Sequence, residues 1–457
     1  RSNKRLEMAD AAATVELARF VASARSIRLP DAVKHQAKRA LVDWLGVTIG
    51  AADEPSVEAM ARVVLPMARG DSASLLGRSE KTSPPAAALI NGQAGHVLDF
   101  DDTLMSPETT LHGCAPIFPA ALALAEAGHA NGTELLTAFT LGYEVAARVA
   151  MAAGKPHYDA GWHVTGTTGH FGAAAASAVL LGISEEQLTQ ALGIAGTQAS
   201  GLKEVYGSSS KALHAGRAAS DGLLSALLAA EGYTGGTTVL EGRFGFLNLF
   251  STEPHPERLT DGLGEHWHLL DDGFKPYACG SLIHAAIDAA IHIGRSHTPD
   301  PEEIERIVAR VHWHVASTTG KTDLKSGLDG KFSAAHCLVV GLLDHAVGPA
   351  QFTDERVFEP TVSALRQLVT LNVDEACGRD EATVTVTLRD GRILEQTTAH
   401  ASGTSENPVS DDTLSAKFLG LATPRLGPEA ARKLLEVAWV ADTLADVNEL
   451  THLATLR

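Results

Sequence analysis

Helical periodicity over the first 250 residues limits most strongly what this chain can fold into. In PDAVKHQAKRALVDWLGVTIG, residues 30–50, apolar side chains recur at three- and four-residue spacing and form one stripe with Val33, Ala37, Leu41 and Trp44. The stretches GHFGAAAASAVLLG and QALGIAGTQASG are rich in alanine and glycine, which favours closely packed helices. Few stretches before residue 270 are typical of strands. The pattern therefore predicts an all-helical domain over residues 8–269.

The pattern changes near residue 270. ATVTVTLRDGRILEQTTAH, residues 382–400, alternates and contains Asp390-Gly391, which is a strong hairpin signal. IERIVARVHWHV indicates a helix end running into a strand, with His312 and His314 on one strand face. Helical patterns follow at 333–346 and 359–371. We predict a smaller α+β lid domain over 270–403, and C-terminal helices over 404–457 that return to the helical domain. The predicted fold class is mainly α.

Charge and cysteine content restrict the partners and the compartment. The 457 residues have a formal net charge of -18, which argues against nucleic acid and anionic membrane surfaces as partners. No apolar run reaches the roughly 20 residues that span a bilayer. The four cysteines, at positions 114, 279, 337 and 377, form no CxxC pair, which argues against a zinc ribbon or a redox motif. We expect a reduced, cytoplasmic protein.

LDFDDTLMSPETTLHG, residues 98–113, places three carboxylates in four residues. Asp99, Asp101 and Asp102 precede Thr103 and His112, and burying such a group without a partner is costly. The stretch is therefore either a solvated turn or a site. It matches the DxDx(T/V) loop of haloacid-dehalogenase-type phosphatases, but that loop follows a buried parallel strand. Here the preceding PPAAALINGQAGHVL is helical in pattern, which disfavours a phosphatase and equally a magnesium site.

Proton transfer beside an anion requires cations and imidazoles, and the chain offers several. In SSSKALHAGRAASDG, Lys211 falls in the first turn of a helix, where the dipole disfavours a cation by about 0.3–1 kcal/mol. A bound carboxylate would resolve that conflict; the alternative is an exposed lysine at a helix end. GWHVTGTTGHFG places His163 in a glycine- and threonine-rich loop that lets a ligand approach the backbone, or that is simply structural. FKPYACG offers Lys275, and GKFSAAH offers Lys331 and His336.

Taken together, these motifs resemble one family. INGQAGHVLDFDDT, GYEVAAR, KALHAGRAA, EGRFGF, FKPYACGSLIHAAIDA and GKFSAAH occur in the order found in the MmgE/PrpD family, and the resemblance covers roughly residues 30 to 425. It implies a large helical domain with an α+β lid. It also implies a homodimer that acts on a small anionic polycarboxylate without a metal or an organic cofactor.

The resemblance also implies which residues form the site, carried over motif by motif. The catalytic residues carried over are Asp99, His112, His163, Lys211 and, from GYEV, Tyr143, and the substrate-binding residues are Thr103 and Lys275. To these we add two residues of this chain's GKFSAAH, His336 as catalytic and Lys331 as substrate-binding, and no metal ligand is expected. Asp99 would face the pocket, whereas Asp101 and Asp102 would fix the turn.

Two departures from the family pattern bear on the reaction. This chain has His112-Gly113-Cys114 where relatives carry a His-Pro-Ser type triplet, and His336 where dehydratases and decarboxylases carry a tyrosine. If His336 moves a proton, activity should follow an ionisation near about pH 6.5. These departures favour epimerisation of iminodisuccinate over dehydration of 2-methylcitrate or decarboxylation of cis-aconitate. An inactive carboxylate-binding homologue is the non-enzymatic alternative.

Overall fold

The computed structural model describes residues 13–456, so residues 1–12, which include the start of the predicted first domain, lie outside the described part. The chain divides into two compact units. The larger comprises the residues up to Val97, Asp101–Asp272 and the residues from Ser410 onward; the smaller comprises Leu98–Phe100 and Gly273–Val409. The protein is mainly α, as the sequence predicts.

In chain order the described helices are α1 (Ala13–Ala22), α2 (Asp31–Gly50), α3 (Pro55–Val64), α4 (Pro84–Val97), α5 (Cys114–Ala127), α6 (Gly132–Asp159), α7 (Val164–Leu181), α8 (Glu185–Gly196), α9 (Ser210–Ala230), α10 (Phe246–Phe250), α11 (His284–His297), α12 (Trp313–Thr319), α13 (Gly327–Gly330), α14 (Ala334–Asp344), α15 (Asp354–Val357), α16 (Pro360–Arg366), α17 (Asp411–Leu426), α18 (Pro428–Trp439) and α19 (Asn448–Leu453). The described strands are β1 (Ala73–Ser74), β2 (Lys81–Thr82), β3 (Asp102–Met105), β4 (Thr110–Leu111), β5 (Asp272–Phe274), β6 (Ile304–Val311), β7 (Val369–Val373), β8 (Ala382–Leu388) and β9 (Ile393–Thr398).

Small residues let the central helices of the larger unit pack backbone to backbone. A Cβ on Gly92 of α4 would lie 2.7 Å from the Cα of Gly216 of α9, and a Cβ on Gly216 would lie 2.4 Å from the carbonyl oxygen of Leu89. On the other side of α9, a Cβ on Gly222 would lie 2.6 Å from the Cβ of Ala173 in α7. The alanine- and glycine-rich stretches therefore mark the closest helix contacts, as the sequence indicates.

The longest helix, α6, lies inside the larger unit. It is broken at Gly154, whose φ of 67° and ψ of -174° are not helical. By length and composition α6 is the one described helix that could cross a membrane. However, its most apolar 18-residue stretch is 100% buried within the protein. It serves as a core helix of this unit.

The C-terminal helices pack on the N-terminal ones within the larger unit. Phe418 of α17 fits against Gly46 of α2, where a Cβ would lie 3.0 Å from the Phe418 Cα. Lys417 Nζ lies 2.6 Å from the buried Asp43 carboxylate, so a charge pair joins the same two helices.

Two short hairpins interrupt the helices of the larger unit, so the expectation of an all-helical domain is wrong in detail. One pairs β1 with β2, and the other pairs β3 with β4 through Leu104↔Leu111. With two to four residues each, these strands are too short to produce a recognisable alternation. The second hairpin lies within the carboxylate-rich stretch, because β3 begins at Asp102.

The smaller unit is built on a four-stranded sheet in the order β7-β6-β8-β9. β6 runs parallel to β7 and antiparallel to β8, and β8 forms the predicted hairpin with β9 around Asp390 and Gly391, whose φ is 88°. Three local predictions are wrong. The first part of IERIVARVHWHV is strand β6 and not the end of a helix. The 359–371 helix ends at Arg366 and gives way to β7, and β6 ends at Val311, so that His312 caps α12 instead of lying on a strand with His314.

Candidate active site

The carboxylate-rich stretch is buried and is not a solvated turn. Asp99 is 4% exposed, and Asp101 and Asp102 are 0% exposed. Asp99 has a φ of 52°, in the left-handed region that few non-glycine residues adopt. This local twist follows the end of α4 and separates Asp99, which belongs to the smaller unit, from Asp101 and Asp102, which belong to the larger one.

In the larger unit, Asp101 joins two histidines. Its Oδ2 lies 2.6 Å from Nδ1 of His96 and 3.8 Å from Nδ1 of His112. Because a carboxylate only accepts, His96 donates its Nδ1 proton to Asp101. His112 donates from Nδ1 to the carbonyl of Asp102, at 2.6 Å, and Thr103 Oγ1 lies 3.2 Å from the same nitrogen. The sequence prediction that Asp101 only fixes the turn missed this role.

A second histidine pair lies against the first. His163 Nδ1 lies 2.9 Å from His214 Nδ1, and the His163 ring stacks on the His96 ring with centroids 5.4 Å apart. Burial lowers the pKa of His163 well below its ordinary value, and the neighbouring His96 and Lys211 lower it further. Burial likewise lowers the pKa of His214 to about 4. Both imidazoles are therefore neutral at pH 7.

His96, His112, His163 and His214 form a histidine cluster around Asp101. Two ring nitrogens in this cluster make no hydrogen bond to another described residue. Among the described residues, neither Nε2 of His96 nor Nε2 of His163 has a hydrogen-bond partner, although both atoms are buried. Buried polar atoms in native proteins are nearly always paired, so two unpaired nitrogens on stacked rings indicate a place for a ligand. Lys211 is 8% exposed and lies beside the cluster, with Nζ 5.6 Å from the ring centroid of Tyr206, which itself packs edge-on to His163.

Tyr143 is buried beside Gly113, the residue that follows His112. Its pKa is raised above its ordinary value by burial, and further by the carboxylates of Asp272 and Asp102. Its ring fills the space beside Gly113, where a Cβ would lie 2.3 Å from Tyr143 Cε2. Gly113 therefore leaves the space that the Tyr143 ring occupies.

Asp102 has a structural role at the start of α5. Its carboxylate accepts hydrogen bonds from the backbone N–H of Gly113, at 2.8 Å, and of Cys114, at 3.1 Å. Burial, and then the charge of Asp101, raise the pKa of Asp102 above its ordinary value. This placement agrees with the expectation that Asp102 fixes the turn.

In the smaller unit, two buried lysines hold the segment that contains Asp99. Lys275 Nζ lies 2.7 Å from Asp99 Oδ1 and 3.2 Å from the Asp99 carbonyl oxygen. Lys331 Nζ donates to the carbonyl of Leu98 and, at 3.1 Å, to that of Ala278. Lys275 is 4% exposed and Lys331 is 6% exposed. Both lysines therefore fix the backbone of residues 98–99, and this role is separate from any contact with a ligand.

Cys279, four residues after Lys275, is a group that the sequence reasoning missed. Burial alone would raise the pKa of its thiol. Hydrogen bonding to the Cys337 thiol and to His284, together with the charge of Lys275, outweighs burial and lowers the pKa to about 6. The pairing joins residues 58 positions apart in the sequence, so no local pattern could have shown it.

His336 is fully buried in α14 of the smaller unit. Its Nε2 donates to the carbonyl of Gln351 at 2.8 Å, and its ring lies 5.6 Å from that of Phe352. Burial lowers the pKa of His336 to about 4. An ionisation of His336 near pH 6.5 is therefore not expected, and the difference from the family's tyrosine is weaker evidence for epimerisation than the sequence suggests.

The ligand atoms of His96, Asp101 and His112 lie within 4.8 Å of one another, which is close enough for a metal ion. However, the Nδ1 atoms of both histidines already donate hydrogen bonds at 2.6 Å, to Asp101 and to the Asp102 carbonyl. A metal bound at these two Nδ1 atoms would have to break both bonds, so the geometry favours a proton-transfer network over a metal centre that uses them.

Buried imidazoles, carboxylates and lysines joined by hydrogen bonds are the groups of an enzyme that moves protons. Two family models match the chain: the MmgE/PrpD N-terminal domain over residues 15–259 and the MmgE/PrpD C-terminal domain over residues 277–443. The chain belongs to the MmgE/PrpD family, as the motifs predict.

Curated relatives resemble the chain over nearly its whole length. A cis-aconitate decarboxylase of Aspergillus terreus is 28% identical, with 96% of this chain and 95% of the relative covered. The cis-aconitate decarboxylase of Mus musculus is 29% identical, with 93% and 90% covered, and that of Homo sapiens is 27% identical. These relatives support a lyase and give no support to iminodisuccinate epimerisation.

Proposed function

We propose that the protein is a cofactor-independent lyase that decarboxylates cis-aconitate or a closely similar unsaturated polycarboxylate. The names of the relatives support the substrate, and the coverage of 90% or more of both chains supports a shared reaction. The observation that carries the proposal is the pair of unpartnered, buried Nε2 atoms on the stacked rings of His96 and His163. They offer two adjacent points for proton exchange next to a buried lysine.

Decarboxylation breaks the bond between a carboxylate carbon and the carbon skeleton, and the bonding electron pair stays on the skeleton. That charge must be delocalised onto a remaining carboxylate, which is a poor electron sink unless cations are held close to it. Lys211 in the larger unit is suited to this role, because it is buried beside the histidine cluster. From the family resemblance, Lys275 is expected to contribute to substrate binding.

The skeleton must then receive one proton in place of the carbon dioxide. Asp101 accepts from Nδ1 of His96 and so fixes the tautomer of that ring. Nε2 is left as the nitrogen that exchanges a proton. The proton that the carbon gains comes from solvent through Nε2 of His96, and His163, which is neutral at pH 7, can accept a hydrogen bond beside it. His112 and Thr103 complete the hydrogen-bonded network around Asp101.

A substrate panel followed by NMR tests this proposal. We expect cis-aconitate to be converted into a dicarboxylate, and iminodisuccinate stereoisomers and 2-methylcitrate to remain unchanged. Interconversion of the iminodisuccinate isomers would establish an epimerase instead, and loss of water from 2-methylcitrate would establish a dehydratase. Binding of all of them without turnover would identify an inactive carboxylate-binding homologue.

The proposal includes a homodimer in the cytoplasm, as the family resemblance and the cysteine content suggest. Multi-angle light scattering on the purified chain, of 47.8 kDa, should give twice that mass. A mass of one chain at working concentration would contradict the dimer without affecting the proposed chemistry.

A further inference from the structure

A loop on the surface of the larger unit brings two histidines and an aspartate together. His266 Nε2 lies 3.4 Å from Asp271 Oδ2, and His268 Nδ1 lies 3.8 Å from the same oxygen. All three ligand atoms lie within 4.8 Å of one another. We propose that His266, His268 and Asp271 form a binding site for a divalent transition metal ion of the Zn²⁺ type.

Both separations are longer than direct hydrogen bonds, and the 3.4 Å between His266 Nε2 and Asp271 Oδ2 matches two ligands of one metal ion. Nitrogen and oxygen ligands bind Zn²⁺ at about 2.0–2.2 Å, so two ligands at a tetrahedral angle lie roughly 3.3–3.6 Å apart. N–H···O hydrogen bonds span about 2.7–3.2 Å. His268 Nδ1 is also buried at the atomic level and has no hydrogen-bond partner among the described residues. In the tautomer with the proton on Nε2, the lone pair of Nδ1 is available to a cation.

The backbone of the loop is held in place by α6. Arg148 donates to the carbonyls of Asp261, at 2.7 Å, and of His266, at 3.1 Å. Glu144, one turn earlier on α6, accepts from the backbone N–H of Leu269 at 3.1 Å. These contacts involve the charged residues of the GYEVAAR motif, and they preorganise the ligands. A preorganised set loses less conformational entropy when it binds.

The site is open to solvent and its surroundings favour a cation. The side chain of His266 is 57% exposed, and the three ligands line a cleft of about 440 Å³. Glu108, Arg258 and Asp261 also line this cleft, and Arg258 is paired with Glu108 at 3.2 Å. Two imidazoles and one carboxylate leave at least one coordination position for water. The site shares no residue with the histidine cluster around Asp101.

Calorimetric titration of EDTA-treated protein with Zn²⁺ tests the site. We expect one ion per chain bound by the wild type. We expect His266→Ala and Asp271→Asn to bind at least about 10-fold more weakly, because each removes one of three ligands. At 100-fold excess over the dissociation constant, Zn²⁺ should raise the unfolding temperature of the wild type by about 2–5 °C. His452→Ala, at another exposed histidine, is the matched control and should bind like the wild type.

Co²⁺ provides a readout of geometry that does not depend on enzymatic activity. We expect visible absorption bands of a four- or five-coordinate ion in the wild type and their loss in His266→Ala. Equal Zn²⁺ binding by the wild type and His266→Ala, or no binding by the wild type, would overturn the proposal. Turnover of cis-aconitate by the EDTA-treated enzyme is measured separately, so failure of either proposal leaves the other standing.

Discussion

The carboxylate of Asp101 lies 2.6 Å from Nδ1 of His96, and both side chains are fully buried. An aspartate that accepts from one ring nitrogen fixes which nitrogen of the imidazole is left to exchange a proton. We expect Asp101→Asn to lower kcat for cis-aconitate by about 10²- to 10⁴-fold, the usual contribution of positioned acid–base groups. The change should fall on kcat more than on KM, because substrate carboxylates do not bind Asp101.

The matched control is the exposed pair His129 and Asp446, whose Nδ1–Oδ2 distance is 2.9 Å. Asp446→Asn should leave kcat unchanged. His96→Gln should reproduce the loss seen in Asp101→Asn, and the double variant should lose little more than either single variant, because the two residues act as one unit. Additive losses in the double variant would contradict the coupled role.

The two buried lysines are tested within their own units. Lys211→Ala should raise KM and lower kcat, because a cation that binds a carboxylate and stabilises the developing charge contributes to both. Lys433→Ala, at an exposed lysine, is the control. Lys275→Ala should in addition destabilise the protein by about 3–5 kcal/mol, because it leaves Asp99 buried without its ion-pair partner.

The double variant Lys275→Met, Asp99→Asn separates the two effects of Lys275. It removes both charges, so it should recover much of the stability that Lys275→Ala loses without recovering activity. Recovery of wild-type kinetics in this double variant would remove both residues from the reaction.

His336 should make the stability of the protein depend on pH. Its pKa is about 4 in the folded chain, because of burial, and about 6.5 in an unfolded one. The unfolded state therefore binds more protons between these values, and stability present above pH 6.5 is lost as the pH falls toward 4. For this residue alone the loss between pH 7 and pH 5 is about 2 kcal/mol.

His336→Phe should remove that part of the pH dependence, as measured by urea unfolding at pH 7 and pH 5. His452→Phe, at an exposed histidine, should leave it intact. An activity limb near pH 6.5 that disappears only in His336→Phe would instead show that His336 titrates during catalysis.

Gly113 should tolerate no side chain while Tyr143 is present. Its φ of -77° and ψ of -31° are ordinary for any residue, so the constraint is steric: a Cβ would lie 2.3 Å from Tyr143 Cε2. We expect Gly113→Ala to cost about 1–3 kcal/mol of unfolding free energy through overpacking. In the double variant Gly113→Ala, Tyr143→Leu, the loss of unfolding free energy should be smaller than the sum of the losses in the two single variants. Strict additivity would show that the two residues do not share this space.

Local patterns were sufficient for much of the fold but not for the site. The Asp390-Gly391 hairpin and the helix near residues 333–346 follow from alternation and periodicity, which report on neighbouring residues. The sequence did not predict β3, because four residues give too little alternation. It did not predict β7 either, because the start of β7 falls inside the helix predicted over 359–371. Lys211, His163 and His112 were predicted as site residues because motifs mark them.

The contacts among the site residues could not be predicted from the sequence. His163 and His214 meet across 51 residues, and the pairing depends on how α7 and α9 pack. His96 and Asp101 are only five residues apart, but they pair because the chain leaves the helical path after α4 and twists through Asp99. Such contacts depend on tertiary packing, which no local pattern records.

The most direct test of the proposed lyase is the stoichiometry of one reaction in deuterated water. Uniformly ¹³C-labelled cis-aconitate is incubated with the enzyme and followed by ¹³C and ¹H NMR. We expect one carbon dioxide released for each dicarboxylate formed, with one deuterium at carbon in each product, and a rate at least about 100-fold lower in Asp101→Asn. Deuterium entering the substrate without any release of carbon dioxide, or no reaction at all, would contradict the proposed lyase.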